Sequence, residues 1–492
     1  MGKSEDLLLV GVDLGTSGVR VDVYGVNGEV LASGRAPIKK QTTDEWLRAV
    51  KEAFPSKFLR EKKGKKLVSV DSTSGTVVLV DEQGSPLIPP LMYYEKAEEE
   101  VKELYKFELV KQLASKGFRL SATSPLAKIL KVKREKPAVF KRVRWIVPAA
   151  TWLLYKLYFE EGESWRGLKT DWTNALKVGE DITEEKPKWF MELFEKAGIP
   201  ADLLPEITSP GDPIGEAKSK LARELGLENA TLYQGMTDGN AAALGSGCVN
   251  LWDCAIGCGT TSVPKLVCSQ MKPHPAIYYH KHPVQGYLAS AAYNTSVYLK
   301  WFSERVLGLN VEEALKLAEK IPPGREYLFI PPGDRNPFHV PFFASSFVNV
   351  WPDEAPINEV KGRFVRGVLL GIAVSERFFI DLFERLFQAK IRLVNLTGGA
   401  ARNRFWNLIR ASIYGKPVRV MEERVTAGVL IPVVLKEKVY GSAEEAVETL
   451  LKEEYRLNPD QNLEKAYSNL ARNFGKAWVK LKDFYETLLK GE

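Results

Sequence analysis

A short apolar run ending in Val12-Asp13-Leu14 passes directly into Gly15-Thr16-Ser17-Gly18. A carboxylate near a strand end, followed by a turn rich in backbone N–H groups and hydroxyls, is a place where phosphate can be held. A similar passage recurs downstream, where Ile256-Gly257-Cys258 gives way to Gly259-Thr260-Thr261. Two such turns facing across a cleft would cradle a nucleotide. Phosphoryl transfer asks for alignment, neutralised charge, a metal ion and a base for the attacking hydroxyl, and for little else from a protein. Asp13 suits Mg2+, directly or through water, because this ion takes few carboxylates and keeps several waters. Asp238, in Gly235-Met236-Thr237-Asp238-Gly239-Asn240, opens a run of small residues. By spacing alone it reads equally as a general base or as a helix N-cap.

The elements that must position these residues are legible in outline. The first forty residues read as a meander of strands at 7–14, 19–26 and 29–34, with Asn27-Gly28 as the hairpin signal between the last two. A second hairpin is expected at 254–258 and 263–268, so the chain divides into two halves that each open with a similar phosphate-facing hairpin. Between them come a strand at 67–71 ending in Ser72-Thr73-Ser74-Gly75, and a helix-rich stretch over 95–159. An extended crossover rich in Pro and Gly follows at 205–215. Apolar periodicity predicts a long helix over 362–390, then a buried strand at 391–396 and a helix over 400–414 opened by Gly398-Gly399. The domains are placed at residues 1–244 and 245–492.

At 492 residues the chain exceeds one ordinary core, in keeping with two domains. Its hydrophobic fraction of 45% and charged fraction of 27% exclude the disordered, fibrous and membrane classes. A net charge of +7 from 69 basic and 62 acidic residues is small for this length, and the basic runs near 62–66 and 131–141 lack interleaved aromatics. No nucleic-acid partner is expected from them. Cys248, Cys254, Cys258 and Cys268 contain no close-spaced CxxC pair and read as buried thiols in a reducing compartment, not as a zinc site. The apolar run at 7–12 is too short for a membrane span, and Asp13 interrupts it; a cytoplasmic chain without a membrane partner is the expectation.

Taken together, four segments resemble the FGGY carbohydrate kinases: Gly11 to Arg20, Met236 to Gly245, Gly257 to Ser262 and Asn395 to Asn403. The resemblance covers nearly the whole chain. It implies an α/β, two-domain actin-like fold of the ribonuclease H-like class, with a cleft between domains that close on ATP and sugar, as a monomer or homodimer. It makes Asp238 the base that takes the proton of the sugar hydroxyl, and Asp13 the Mg2+ and sugar-side carboxylate. Gly15, Thr16 and Ser17 would meet the terminal phosphates, and Gly259, Thr260 and Thr261 would hold the phosphate chain. Gly398, Gly399 and Asn403 match the adenosine-binding turn.

Within that family, Asp71 to Val80, Pro90 to Tyr94, Ser124 to Ile129 and Thr170 to Lys177 are similar to a branch containing D-ribulokinases and xylulokinase-like proteins. The expected reaction is therefore D-ribulose to D-ribulose 5-phosphate. The alternatives are D-xylulose, another polyol or sugar, and a non-enzymatic actin-like nucleotide switch. The turn bearing Ser72, Thr73 and Ser74 reads either as a polyol-facing surface or as a support for the sheet. The chain also departs from the family pattern: Thr151-Trp152 lacks a preceding Asp, Tyr293 to Ser296 replaces a glycine-rich stretch, and Leu370-Gly371 lacks the glutamate common in that long helix.

Overall fold

The strand Leu8–Leu14 is buried along almost its whole length, as a run apolar on both faces must be. In the computed structural model, which describes residues 7–115, 120–184, 186–340 and 343–489, it forms the centre of the first sheet. The strand order is Val30–Pro37, Gly18–Gly25, Leu8–Leu14, Lys66–Ser72, Thr231–Tyr233, Pro213–Glu216. The first three strands are antiparallel, whereas Lys66–Ser72 runs parallel to Leu8–Leu14 and to Thr231–Tyr233. The two-residue strand Met236–Thr237 then pairs with the end of Lys66–Ser72 and leads into the helix Asp238–Gly245.

The second sheet repeats this plan. Its hairpin Cys254–Cys258 and Thr261–Cys268 is antiparallel, Val394–Thr397 joins Cys254–Cys258 in parallel, and Val418–Met421 joins Val394–Thr397 in parallel. Each sheet has its own hydrophobic core, one built on Val10, Val12, Val68 and Trp152 and the other on Ile256, Leu396, Phe379 and Trp406.

The chain divides into two compact units. Residues Met1–Gly245, His280–Gln285 and Arg424–Leu451 make the first, and Ser246–Tyr279, Gly286–Glu423 and Lys452–Glu492 make the second. The late segment Arg424–Leu451 therefore packs with the N-terminal sheet. Gly11 is what lets it do so, because a Cβ there would stand 2.0 Å from the Thr426 carbonyl oxygen. Thr426 Oγ1 donates to Asp22 Oδ2 at 2.6 Å, and Tyr440 OH donates to the Val26 carbonyl at 2.8 Å.

Several expected boundaries move: the buried strand expected at 391–396 spans Val394–Thr397, and the strand expected at 263–268 begins at Thr261. The long helix runs over Ile357–Phe387, beginning before the apolar periodicity because Pro356 caps a polar first turn, and ending where Gln388 turns left-handed at φ 54. The helix expected at 400 begins at Arg404, after a 3-10 turn over Gly399–Arg402, because Asn403 Oδ1 accepts the Trp406 N–H at 2.8 Å and caps it. Among the described residues no helix is long and apolar enough to cross a membrane, and the four cysteines are buried and outside any disulfide.

Candidate active site

In the first unit, register sets the chemistry. Asp13 stands opposite Asp71 on the parallel neighbour strand and opposite Arg20 on the antiparallel one, and Asp71 is itself opposite Met236, two residues before Asp238. Strand ends thus gather three carboxyl groups and a guanidinium. Asp71 is fully buried. Burial first, and then the charges of Asp13 and Asp238, push it well above the ordinary carboxylate range.

The turn after Asp13 is tight, with the Gly15 N–H donating to the Gly18 carbonyl at 3.0 Å. Gln41 Nε2 pins the Thr16 carbonyl at 2.7 Å. Beside the turn lies a cavity of about 330 Å³ lined by Asp13, Gly15, Ser17, Arg20 and Arg35. One carboxylate with two guanidinium groups suits a metal-bearing phosphate chain better than a bare cation. Among the described residues no group of three or more His, Cys, Asp or Glu side chains is arranged to hold a metal ion by itself. This donor set fits Mg2+, which keeps waters and shares phosphate oxygens.

Asp238 is the first residue of its helix, and its Oδ1 accepts the N–H of Gly239 at 2.7 Å and of Ser74 at 3.2 Å. The hydroxyl-rich turn is thereby tied to the carboxylate. Its three hydroxyls are used differently. Ser72 Oγ accepts the Ala150 N–H at 3.0 Å and Thr73 Oγ1 donates to Thr76 Oγ1 at 2.8 Å, so both brace the turn. Ser74 Oγ is buried with no hydrogen-bond partner among the described residues.

Behind Asp238 stands a rigid frame. Asp171 caps the helix Trp172–Val178, accepting from the N–H groups of Thr173 and Asn174 and from both their side chains at 2.5 to 3.0 Å. Thr173 Oγ1 in turn accepts the Thr237 N–H at 2.9 Å. From the same helix Lys177 reaches His280 Nε2 at 2.7 Å. Burial draws its ammonium down to about 8, against the opposing pull of Asp238.

In the second unit Gly257 is in register with Thr397, so the turns that follow both strands leave the sheet side by side. Gly259, Thr260 and Gly399 are exposed there, while Thr261, Gly398 and Asn403 are half-buried. Gly398 has φ 91, and a Cβ on it would lie 2.9 Å from the Cys258 carbonyl oxygen, so a glycine is required where the two turns meet. Asn403 commits its Oδ1 to the helix cap.

Asp238, Asp13, Gly15, Thr16, Ser17 and the Ser72–Ser74 turn thus fall in the first unit, and Gly259, Thr260, Thr261, Gly398, Gly399 and Asn403 in the second. Sequence reasoning passed over Arg20, Asp71 and Lys177. Alternation along the hairpin signalled Arg20, and an Asp closing a second strand signalled Asp71. Lys177 carried no such mark, since its approach to Asp238 depends on how its helix packs.

Comparison with known proteins bears on the whole arrangement. The model of the FGGY family of carbohydrate kinases, N-terminal domain, matches residues 8–245, and that of the C-terminal domain matches residues 254–431. A xylulose kinase of Lactococcus lactis is 25% identical over 431 residues, 80% of this chain and 80% of its own. An autoinducer-2 kinase of Yersinia pestis is 24% identical over 95% of this chain and 93% of its own. The crystal structure of ligand-bound xylulose kinase from Lactobacillus acidophilus superposes with a TM-score of 0.81 at 20% identity, covering 98% of this chain and 99% of that one. The two-domain α/β fold is that of sugar kinases, and the chain belongs to the FGGY family of carbohydrate kinases.

Proposed function

We propose that this carbohydrate kinase transfers the γ-phosphoryl group of ATP to a ketopentose, with D-ribulose the first candidate and D-xylulose the second. The observation that carries the acceptor side is the tie between Asp238 and the Ser74 N–H, which sets an unpartnered buried hydroxyl beside a half-buried carboxylate. A polyol hydroxyl meeting Asp238 would find the Ser74 hydroxyl as a second contact, and Asp238 would take its proton as it attacks. Gly15, Thr16 and Ser17, with Arg20 nearby, suit the terminal phosphates. Asp13 would hold Mg2+, which when bound neutralises phosphate charge. Gly259, Thr260, Thr261, Gly398 and Gly399 suit the rest of the nucleotide, since exposed glycine and threonine backbone admits close approach.

Residues 71–80 and 170–177 are similar to the branch containing D-ribulokinases and xylulokinase-like proteins, within which D-ribulose is taken first. D-xylulose is favoured by the xylulose kinases among the relatives. The test is ADP release with ATP and Mg2+ across ketopentoses, polyols, hexoses and sugar acids, ranked by kcat/KM. The highest value on D-ribulose supports the reading and one on D-xylulose selects the alternative. Preference for a non-pentose acceptor overturns the ketopentose assignment.

A further inference from the structure

Beneath the two glycine turns of the second unit lies an ion pair that phosphoryl transfer does not by itself require. Glu376, from the long helix Ile357–Phe387, and Arg410, from the helix Arg404–Tyr414, are both wholly buried, with Arg410 Nε 3.0 Å from Glu376 Oε2. Each partner then reaches toward one of the turns. Glu376 Oε1 accepts the Ser262 hydroxyl at 3.0 Å, immediately after Gly259-Thr260-Thr261. Ser262 Oγ also lies 3.0 Å from Thr295 Oγ1, and the Thr295 N–H donates to the Thr260 carbonyl at 3.3 Å. On the other side Arg410 donates to the Ala400 carbonyl at 3.2 Å, inside the 3-10 turn that follows Gly398. Asn407, which accepts from Arg410 at 3.0 Å, donates to the Ala401 carbonyl at 2.5 Å. Tyr414 OH at 2.6 Å completes the carboxylate, and the Trp406 ring lies 3.9 Å from the guanidinium carbon.

A buried ion pair is poor evidence for stability, because well-packed apolar residues of similar size often hold a core equally well. What such residues cannot do is bond in two directions at once. The pair has one arm on each of the turns assigned above to the phosphate chain and to adenosine. We infer that Glu376 and Arg410 are positioning residues that fix the spacing of these two turns, so that the nucleotide meets a site already set for it. The inference rests on the nucleotide assignment of the two turns, and its test separates the two.

Three variants are compared by direct ATP binding, acceptor KM and thermal melting without ligand. Ser262→Ala cuts the arm to the phosphate turn together with the Ser262–Thr295 hydroxyl contact, and Glu376→Gln keeps the shape and removes the charge. Gly399→Val adds a side chain whose Cβ has nothing of the protein within 4 Å, where nucleotide would approach. The expected result is a loss of ATP affinity of about tenfold in Ser262→Ala and Glu376→Gln, with acceptor KM unchanged, because small misplacements of a binding group have effects of that order or larger. A lower melting point with unchanged ATP affinity in Ser262→Ala would make the network merely structural and overturn the inference, whether or not Glu376→Gln folds. If Gly399→Val weakens ATP while Ser262→Ala does not, the nucleotide assignment stands and the positioning role falls. If Gly399→Val leaves ATP affinity untouched, both fall.

Discussion

Asp13 and Asp71 face one another across adjacent parallel strands, and no donor among the described residues reaches either oxygen of Asp71. Two carboxyl groups so placed cannot both ionise cheaply. Burial, and then the neighbouring Asp13 and Asp238 charges, push Asp71 well above the ordinary carboxylate range. Asp13 lines the phosphate-side cavity.

Replacing Asp13 tests its part at that cavity. Asp13→Asn should lower kcat/KM about a hundredfold, the scale seen when one charge-stabilising group is removed from an active site, and should raise the Mg2+ concentration needed for half-maximal rate. Kinetics across a Mg2+ titration decide it; an unchanged rate and an unchanged Mg2+ requirement would make Asp13 structural.

A pH signature is expected at Glu180, which is buried with both oxygens unpartnered among the described residues. Burial pushes it from 4.5 up to about 8, with Asp171 and Asp181 adding to the rise and Lys281 opposing it. Between those values the folded chain holds a proton that the unfolded chain has lost. Stability therefore falls as pH rises through that window and levels off above it. Glu180→Gln should melt with the parent at pH 4.5 and above it by roughly 5 °C at pH 8. A difference in melting point that does not change with pH would contradict the assignment.

Gly11 is tested by adding one carbon. Gly11→Ala sets its Cβ 2.0 Å from Thr426 O, forcing backbone apart, and should cost about 3 kcal/mol. Gly257→Ala, where a Cβ meets nothing within 4 Å, is the control and should melt close to the parent. Equal melting points for the two would show that Arg424–Leu451 is not seated on the first sheet as described.

The parts of this molecule written in local pattern were legible in its sequence. Both hairpins, the strand after residue 66 and the long helix follow from apolar runs and turn residues. Asp13 stood out because it sits where a strand ends, and Asp238 because it opens a run of small residues. Other features depend on contacts far apart in sequence. Arg424–Leu451 returns to the first sheet only because Gly11, Gly28 and Gly245 leave room for its backbone, and none of those glycines announces a partner. Ser72 and Thr73 look like Ser74 in the sequence, and only packing shows that they brace the turn. Glu376 and Arg410 lie 34 residues apart, on helices whose shared buried face no periodicity could pair.

The central claim is that Asp238 takes the acceptor's proton, and the most direct measurement is sugar-dependent ADP release by Asp238→Asn beside the parent chain, with ATP affinity measured in parallel. Loss of about 10³-fold in kcat, within the range for a positioned general base, with ATP affinity preserved, is the result expected. A kcat within a few-fold of the parent would contradict it and leave Asp238 as no more than the start of a helix.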